Sequence, residues 1–508
     1  QNLLLKKLTA TSNYMTNIDV TQNTLLNNIN VSSNQLTSLN VDQNILLKDL
    51  DAGNNLLPFI NLSQNVLLEN LKLNNNVIPS LDLTTNVILD FVNISNNLFT
   101  TTGLDLTQNV LLTYFKASFN QIESLNISQN AILTRLILDH NLFSGTAILD
   151  QFYTLRLNND GIYFGELDVS FNNLSGVVPN YTSLFHLGTP ASTNWTRRFE
   201  LYINNNNFEF GHFENQHSNY VLATNTYVPT TFTTPVMSNY WYAPQAKVNT
   251  IDTINANAGD PITLTTVVSG AQNHYVWFKD GIQISNAPDS PNYVINSVNP
   301  CNQGVYYCEI LSDLVPFENT NPPGTQGKNL KLTRNDITLN VALATNSCPT
   351  LTSPLNGATN VPINPTITWA NSPNACSYSI SIGTNSGGTQ ILNNVNVGDV
   401  NIYNLTSNLP VNTQIFITIT PNYQSGPTPS CTEQSFTTNA SVVLPNCTTL
   451  VSPSNGSTNV AINSNISWNA IANATGYFIS IGTTSGGTNF VNNFDNGNAI
   501  TLNSATNF

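Results

Sequence analysis

The chain has 508 residues, long enough for several domains, with 14 Lys or Arg, 28 Asp or Glu and a formal net charge of −14. Only 8% of residues are charged, against about a quarter in ordinary soluble proteins, and Asn makes up roughly one residue in six. The scarcity of Lys and Arg argues against nucleic-acid and anionic-membrane partners, and no apolar run is long enough to insert into a bilayer.

An internal repeat dominates residues 1–210. Its frame is L-x-x-L-x-L-x-x-N-x-L, filled for example by Leu26, Ile29, Val31, Asn34 and Leu36. The asparagine of this frame recurs with a spacing of 21 residues and one spacing of 23. The regular positions are Asn13, Asn34, Asn55, Asn76, Asn97, Asn120 and Asn141. Two degenerate units follow, around Asn172 and Asn206.

This frame resembles the leucine-rich repeat family, in particular the nested 21-residue class of bacterial repeats. A second motif, Ile18–Asn23, recurs in five further units and forms another asparagine ladder. The resemblance implies a solenoid whose apolar positions face inward and whose asparagines bond to the backbone at each bend. Because a 21-residue coil leaves little room for a long helix, we predict a β-rich solenoid over 1–210. An aromatic cap and linker follow over 211–248.

From about residue 249 the hydrophobic period becomes two, which predicts strands. Trp277, followed by Tyr306 and Cys308 in the pattern Y-x-C, resembles the immunoglobulin fold. We assign 249–344 to an immunoglobulin-like domain. The first cysteine of that fold is missing, and Cys301 is the predicted disulfide partner of Cys308.

Two copies of one further module follow, at 345–440 and 444–508. Cys348, Trp369 and Gly383 each recur 99 residues later. The modules resemble the fibronectin type III-like modules of bacterial surface proteins. We predict a Cys348–Cys431 disulfide, and the state of Cys376 stays open because the second copy has no counterpart.

The fold class is therefore mainly β: a leucine-rich repeat solenoid followed by a string of β-sandwich domains. Gln1 falls inside a repeat, and the second type III-like copy stops at Phe508 before its last strands. We expect a fragment or processed form of a longer protein. Low cysteine content with disulfide-compatible pairs favours an extracellular or cell-surface location.

Binding residues are predicted on the outward face of the solenoid strands, where side chains from successive coils form columns. The alternative is a solvent-exposed face whose residues vary from coil to coil without a binding role. The candidates mix charged, amide and aromatic side chains: Asp51, Lys72, Asn93, Lys116, Phe119, Asp139 and His140.

No cofactor and no metal site are predicted. The alternative is Ca²⁺ on a second column of carboxylates and amides, Asp19, Asn40, Asn61, Asp82, Asp105 and Asn126, which could equally hydrogen-bond along the ladder. His212, Glu214 and His217 fall in the cap region and are not expected to hold a metal. The aromatic residues Trp195, Tyr240, Trp241 and Tyr242 are expected in the core of the cap, with sugar stacking as the alternative.

The sequence predicts a non-catalytic protein. No Ser-His-Asp or Cys-His arrangement with a local signature appears, and five histidines leave few candidates for a general base.

Architecture and Asn/Thr-rich composition resemble secreted surface proteins of the Bacteroidota, which often end in a sorting domain read by the type IX secretion system. The resemblance implies an extracellular or outer-membrane-attached adhesion protein whose partner is a protein or glycan at the cell surface. Outer-membrane secretion or surface-complex proteins are further possible partners. One alternative is a scaffold subunit of an outer-membrane assembly. Another is the accessory region of a polysaccharide-degrading enzyme.

Overall fold

The structure is a computed structural model that describes residues 2–158, 164–184, 198–225, 236–316, 329–343, 345–424, 429–440 and 445–503. The chain divides into two compact units, Gln1–Leu343 and Ala344–Phe508. None of the helices in these ranges is long and apolar enough to cross a membrane.

Short strands stacked in parallel form the first part of the first unit. In chain order they are β1 (Lys7–Thr9), β2 (Asn28–Asn30), β3 (Asp49–Asp51), β4 (Asn70–Lys72), β5 (Phe91–Asn93), β6 (Tyr114–Lys116), β7 (Arg135–Ile137), β8 (Ser144–Gly145), β9 (Phe164–Asp168), β10 (Asn173–Leu174), β11 (Arg198–Tyr202) and β12 (Val236–Trp241). Ten of them form one sheet in the order β1-β2-β3-β4-β5-β6-β7-β9-β11-β12, and β8 pairs with β10. Every pairing in the ten-stranded sheet is parallel, so each coil contributes one strand, and the predicted β-rich solenoid is confirmed.

Each of the three-residue strands β2 to β7 buries its central side chain. In β3 the central Leu50 is 1% exposed, whereas Asp49 and Asp51 on either side are partly exposed. This alternation follows from the two-residue period of a strand. The two coils after residue 141 are longer, and the first of them contains helix α1 (Ala147–Asn158).

The repeated asparagine bonds successive coils together, as Asn76 illustrates. Its Nδ2 donates to the carbonyl of Ala52, in the preceding coil, at 3.1 Å and to that of Leu73 at 3.0 Å. Its Oδ1 accepts the amide of Leu57 at 2.9 Å. The side chain is 7% exposed, so it satisfies backbone groups that water cannot reach.

The second asparagine ladder lies deeper. Asn65 has no exposed surface, and its Nδ2 donates at 3.0 Å to the carbonyls of Val41 and Asn44. Its Oδ1 accepts no hydrogen bond, as at four equivalent positions. The side chains at these five positions therefore contribute hydrogen-bond donors to the stack and no acceptors.

A cap closes the last coil of the solenoid. It contains helix α2 (Glu214–Asn225) and the strand β12, which extends the sheet. Tyr220, Tyr240 and Tyr242 are buried there, as expected for cap residues. Burial also lowers the pKa of His217 to about 4, so this histidine is a neutral core residue at physiological pH.

Two facing sheets, called sandwich 1, complete the first unit. Their strands are β13 (Asp252–Asn257), β14 (Ile262–Thr265), β15 (Asn273–Lys279), β16 (Ile282–Gln283), β17 (Asn292–Ile295), β18 (Gly304–Ser312), β19 (Leu332–Thr333) and β20 (Ile337–Ala342). One sheet has the order β13-β20-β18-β15-β16 with β19 on β18, and the other pairs β14 with β17. Trp277 is fully buried between them, and the Tyr306 hydroxyl donates to the carbonyl of Asn302 at 2.6 Å.

The predicted Cys301–Cys308 disulfide is wrong. Cys308 is a free thiol buried in the core of sandwich 1, and burial raises its pKa to about 12. β18 begins at Gly304, so about 13 Å of extended strand separates its first residue from Cys308. A disulfide requires Cα atoms within about 7 Å of each other. Close spacing in sequence does not bring two cysteines together when a strand lies between them.

Sandwich 1 is joined to the end of the solenoid by direct backbone contacts. The Glu209 carboxylate accepts the amide of Ser269 at 2.7 Å, and the amide of Gly211 donates to the carbonyl of Ser269 at 3.2 Å. A side chain at Gly211 would place its Cβ 2.9 Å from the amide nitrogen of Gly270. One continuous hydrophobic core runs through both parts.

The second unit contains two similar pairs of sheets. Sandwich 2 consists of β21 (Leu351–Ser353), β22 (Thr366–Trp369), β23 (Ala375–Gly383), β24 (Leu392–Gly398), β25 (Ile402–Asn404), β26 (Gln414–Tyr423) and β27 (Gln434–Thr437). Sandwich 3 consists of β28 (Leu450–Ser452), β29 (Ile466–Trp468), β30 (Phe478–Ile481), β31 (Val491–Asp495) and β32 (Thr501–Leu502). The rings of Trp369 and Tyr378 lie 5.6 Å apart, as do those of Trp468 and Tyr477.

A disulfide joins Cys348 to Cys431 in sandwich 2, with the two Cα atoms 5.4 Å apart, as the sequence predicts. Cys376, whose state the sequence left open, is disulfide-bonded, and Cys447 is an exposed free thiol.

Replacing Asn76 by Ala tests the ladder. The substitution leaves the buried amide of Leu57 without a partner and removes one of the side-chain hydrogen bonds to each of the buried carbonyls of Ala52 and Leu73, so we expect the free energy of unfolding to fall by about 2–4 kcal/mol. Urea unfolding followed by circular dichroism measures this change. Val77→Ala, at an adjacent side chain that is 43% exposed, is the control and should change stability by less than about 1 kcal/mol. Equal effects of the two substitutions would contradict a structural role for the ladder.

Candidate functional site

The outer surface of the ten-stranded sheet carries two columns of side chains, one on each side of the buried central residues. This surface is called the sheet face below. The first column is Lys7, Asn28, Asp49, Asn70, Phe91, Tyr114, Arg135, Glu166, Glu200 and Asn239. The second column is Thr9, Asn30, Asp51, Lys72, Asn93, Lys116, Ile137, Asp168, Tyr202 and Trp241.

Four of the predicted binding residues are consecutive members of the second column: Asp51, Lys72, Asn93 and Lys116. A shallow pocket lies over β2 to β5 and is lined by both columns, including Asp51, Lys72 and Phe91. Lys72 Nζ lies 5.7 Å from the centre of the Phe91 ring, so its cation faces an aromatic surface. The prediction therefore placed these four side chains on one continuous face.

Sequence reasoning missed the first column, which carries the strongest contacts. The Phe91 and Tyr114 rings meet edge to face with centres 4.9 Å apart. The Arg135 guanidinium lies 4.2 Å from the centre of the Tyr114 ring, and its Nε donates to Glu166 at 2.9 Å. These contacts align an aromatic and charged row across β5, β6, β7 and β9.

The signal for this column was present in the repeat frame. The residue before each central leucine flanks the buried position just as the residue after it does. Phe91, Tyr114 and Arg135 occupy that place in three successive coils, where earlier coils have Asn28, Asp49 and Asn70.

The sheet face continues onto the cap. Tyr202 donates to Glu200 Oε2 at 2.9 Å, and its ring centre lies 5.7 Å from that of Trp241. The expectation that Trp241 belongs to the core of the cap is wrong: its side chain is partly exposed beside Tyr202, because β12 extends the sheet and alternates its side chains. Trp195, expected in the same core, lies outside the described residues.

Three stacked rings form a ridge at the edge of the sheet face, called the aromatic rim. Phe119 stacks on His140 with ring centres 3.9 Å apart, and His140 stacks on Phe171 at 4.0 Å. The planes differ by only 14° and 12°. Phe119 and Phe171 are 46% and 44% exposed, so the stack faces solvent. Phe171 was not among the predicted residues.

Two carboxylates lie beside the aromatic rim. Asp139 accepts a hydrogen bond from the Ser118 hydroxyl, and its Oδ2 lies 2.9 Å from Nδ1 of His140. Asp168, on the neighbouring strand, accepts the hydroxyl of Ser170 at 2.6 Å. Burial raises the pKa of Asp168 to about 6; the Ser170 hydrogen bond opposes this, and the charge of Asp139 adds to it.

The column proposed as a Ca²⁺ ladder has a structural role. Asp82 Oδ1 accepts the amide of Thr84 at 2.9 Å, and Asn61 Oδ1 accepts that of Ser63 at 3.2 Å. The same bond, two residues along the chain, recurs at Asp19, Asn40, Asp105 and Asn126. Asp and Asn are equivalent in this turn, since each accepts the amide through its Oδ1. Within the described ranges, no group of three His, Cys, Asp or Glu side chains is positioned to hold a metal.

Comparison with known proteins finds solved structures of low similarity. No protein-family model matches it, and no curated protein shows significant similarity. The functional domain of InlJ from Listeria monocytogenes is 17% identical, with a TM-score of 0.34 over 67% of this chain and 82% of that one. The leucine-rich repeat protein LIC12759 of Leptospira interrogans is 23% identical, with a TM-score of 0.35 over 42% and 53%. The LRIM1/APL1C complex is 18% identical, with a TM-score of 0.30 over 46% and 54%.

The chain thus spans about half the length of the second and third of these structures. The coil geometry described above, and not these likenesses, establishes the solenoid.

The substitution Asp168→Asn tests whether the pKa of the Asp168 carboxyl is raised in the folded state. Because the folded pKa of about 6 exceeds the unfolded value of about 3.9, Asp168 favours the folded state below pH 4, and this contribution is lost as the pH rises through 6. We therefore expect the variant to be more stable than the wild type by about 1–3 kcal/mol at pH 7.5 and not at pH 4. Urea unfolding at both pH values measures the difference.

Asp82→Asn is the matched control. The hydrogen bond from the Thr84 hydroxyl lowers the pKa of Asp82 most, and the bond from the Thr84 amide lowers it further. Its contribution to stability is therefore present at neutral pH and lost in acid, the opposite dependence. If the stability of both variants, relative to the wild type, changed with pH in the same direction, the raised pKa assigned to Asp168 would be contradicted.

Proposed function

We propose that this protein is an extracellular surface protein that binds a protein partner through the sheet face of its solenoid. Its role is adhesion or partner capture, with no catalytic step and no cofactor. Sandwich 1 as an immunoglobulin-like domain, and sandwiches 2 and 3 as fibronectin type III-like modules, would carry the solenoid away from the cell surface.

One observation carries the proposal: the sheet face presents Phe91, Tyr114 and Arg135 in its first column and Tyr202 and Trp241 in its second. These five side chains are partly exposed on consecutive or neighbouring strands of one sheet. Trp, Tyr and Arg are the residue types that dominate the binding energy of protein interfaces. They supply large contact areas with few rotatable bonds, and the regular backbone beneath holds them in fixed positions.

The attachment of sandwich 1 to the solenoid supports a role in presenting the sheet face to a partner. The continuous core and the close contact at Gly211 restrict bending between the solenoid and sandwich 1. A rigid junction keeps the sheet face in one orientation, which lowers the entropic cost of binding a partner.

Array binding of the 508-residue chain tests the proposal. The labelled protein is applied to a protein array and a glycan array, and dissociation constants are measured for the ligands found. Phe91→Asn with Tyr114→Asn removes two rings and introduces the residue type that the same position has at Asn28 and Asn70. We expect this variant to bind the protein ligand at least about tenfold more weakly.

The matched control changes exposed side chains of the same coils that lie outside the two columns of the sheet face. Val87→Thr with Val110→Thr replaces side chains that are 44% and 47% exposed with the residue found at Thr24. This control should bind within about twofold of the wild type. An equal loss in both variants would exclude the sheet face as the site, and binding to glycans alone would exclude a protein partner.

A further inference from the structure

The aromatic rim stands on an unusual backbone. The residue before each ladder asparagine adopts a left-handed conformation, with φ between 53° and 57° in nine coils. Six coils have Ser or Asn there, the small polar residues that suit a turn: Ser12, Ser33, Asn54, Asn75, Asn96 and Asn205. Phe119, His140 and Phe171 are the other three, in consecutive coils.

A phenylalanine in this conformation is costly. A bulky side chain at positive φ disfavours the fold by about 1 kcal/mol or more, and Asn at the same place avoids most of that cost. The rings of Phe119 and Phe171 also leave close to half of their surface exposed to solvent. Stability therefore does not explain why aromatic residues occupy these positions, whereas a binding role does.

The stack is rigid before any partner arrives. Ring contacts on both faces hold His140, and Asp139 is bonded to its Nδ1. The inner faces of Phe119 and Phe171 are covered by His140, so the ring edges and outer faces are the surfaces available to a partner. Side chains fixed in this way lose little entropy on binding.

The charges around the rim decide the chemistry of the partner. Arg135 is already bonded to Glu166, and Lys116 lies two strands away from Asp168. Among the described residues, Asp168 makes no ion pair, and its hydrogen bonds come only from Ser170. A half-buried carboxylate without a cation gains more from an incoming cation than one fully exposed to water.

We infer that the aromatic rim receives a Lys- or Arg-bearing loop of the partner protein, with the cation placed between the rings and the carboxylates of Asp139 and Asp168. Arg fits best, because its planar guanidinium stacks on aromatic faces and bonds carboxylates with two donors. This inference rests on the proposed function, since it names the chemistry of the partner that the sheet face binds.

A peptide array tests the inference. The probes are 12-residue peptides that contain zero, two or four Arg or Lys in an uncharged background, together with acidic counterparts, and the labelled 508-residue chain is applied in about 0.15 M salt. At this ionic strength, attraction between distant charges is largely screened. We expect the bound peptides to be enriched in Arg and Lys.

Two variants remove the site without disturbing the coils, because each introduces a residue type already present at the same frame position. Phe119→Asn with Phe171→Asn copies Asn96 and Asn205. Asp139→Asn with Asp168→Asn copies Asn74 and Asn93, and Asn93 Oδ1 accepts the amide of Ser95 as Asp168 accepts that of Ser170. Each variant should weaken binding of the basic peptides at least about tenfold.

The charge control is Asp82→Asn with Asp105→Asn. It changes the net charge by the same amount as the Asp139 and Asp168 variant and keeps the turn that Asn40 and Asn61 form. Binding of the basic peptides should stay within about twofold of the wild type. If this control loses as much binding as the rim variants, overall charge explains the attraction and the inference fails.

The remaining outcomes separate this inference from the proposed function. Neutral or acidic peptides that bind the wild type, and lose binding when Phe91 and Tyr114 are replaced by Asn, would overturn the basic partner and leave the sheet face as the site. If binding of the basic peptides required the aromatic rim but not Phe91 or Tyr114, the result would support the rim as a binding site and contradict the sheet face as the wider site. Peptides that depend on none of these residues would overturn both.

Discussion

The hydrogen bonds of the repeated asparagine are the interaction on which the solenoid depends. A coil that turns every few residues leaves backbone amides and carbonyls inside the stack, where water cannot pair with them. Asn76 shows the solution, since one amide side chain bonds to carbonyls of its own coil and of the preceding one and accepts an amide as well. The two asparagine ladders contribute to the excess of asparagine in the composition.

The same stacking creates the sheet face. Because strands β2 to β6 are three residues long and bury their middle residue, both neighbours point outward, and coils in register align them into columns. Side chains far apart in sequence, such as Lys72 and Phe91 or Arg135 and Glu166, then become neighbours. The regular backbone leaves the choice of these side chains open, and the aromatic residues of the columns lie between β5 and β12.

The aromatic rim illustrates how a repeat can differ locally from its own rule. The left-handed position before the ladder asparagine favours Ser or Asn, yet three consecutive coils place aromatic rings there. Stacking of the rings depends on the distance between coils, which the asparagine ladder sets. The asparagine ladder, which sets the distance between coils, therefore accounts for both the rigidity of the scaffold and the exposure of the stacked rings.

The sequence alone determined the solenoid, its period, the inward positions, the ladder asparagines and the second column of the sheet face, because each of these repeats in a fixed frame. It also indicated Cys348–Cys431 and the buried Trp277. Tertiary structure decided the rest. The row from Phe91 to Arg135, the exposure of Trp241, the stacking of Phe171 on His140 and the isolation of Cys308 all depend on which strands lie side by side. A periodic pattern reveals which residues face inward, whereas contacts between neighbouring strands or coils depend on register and twist, which no single repeat records.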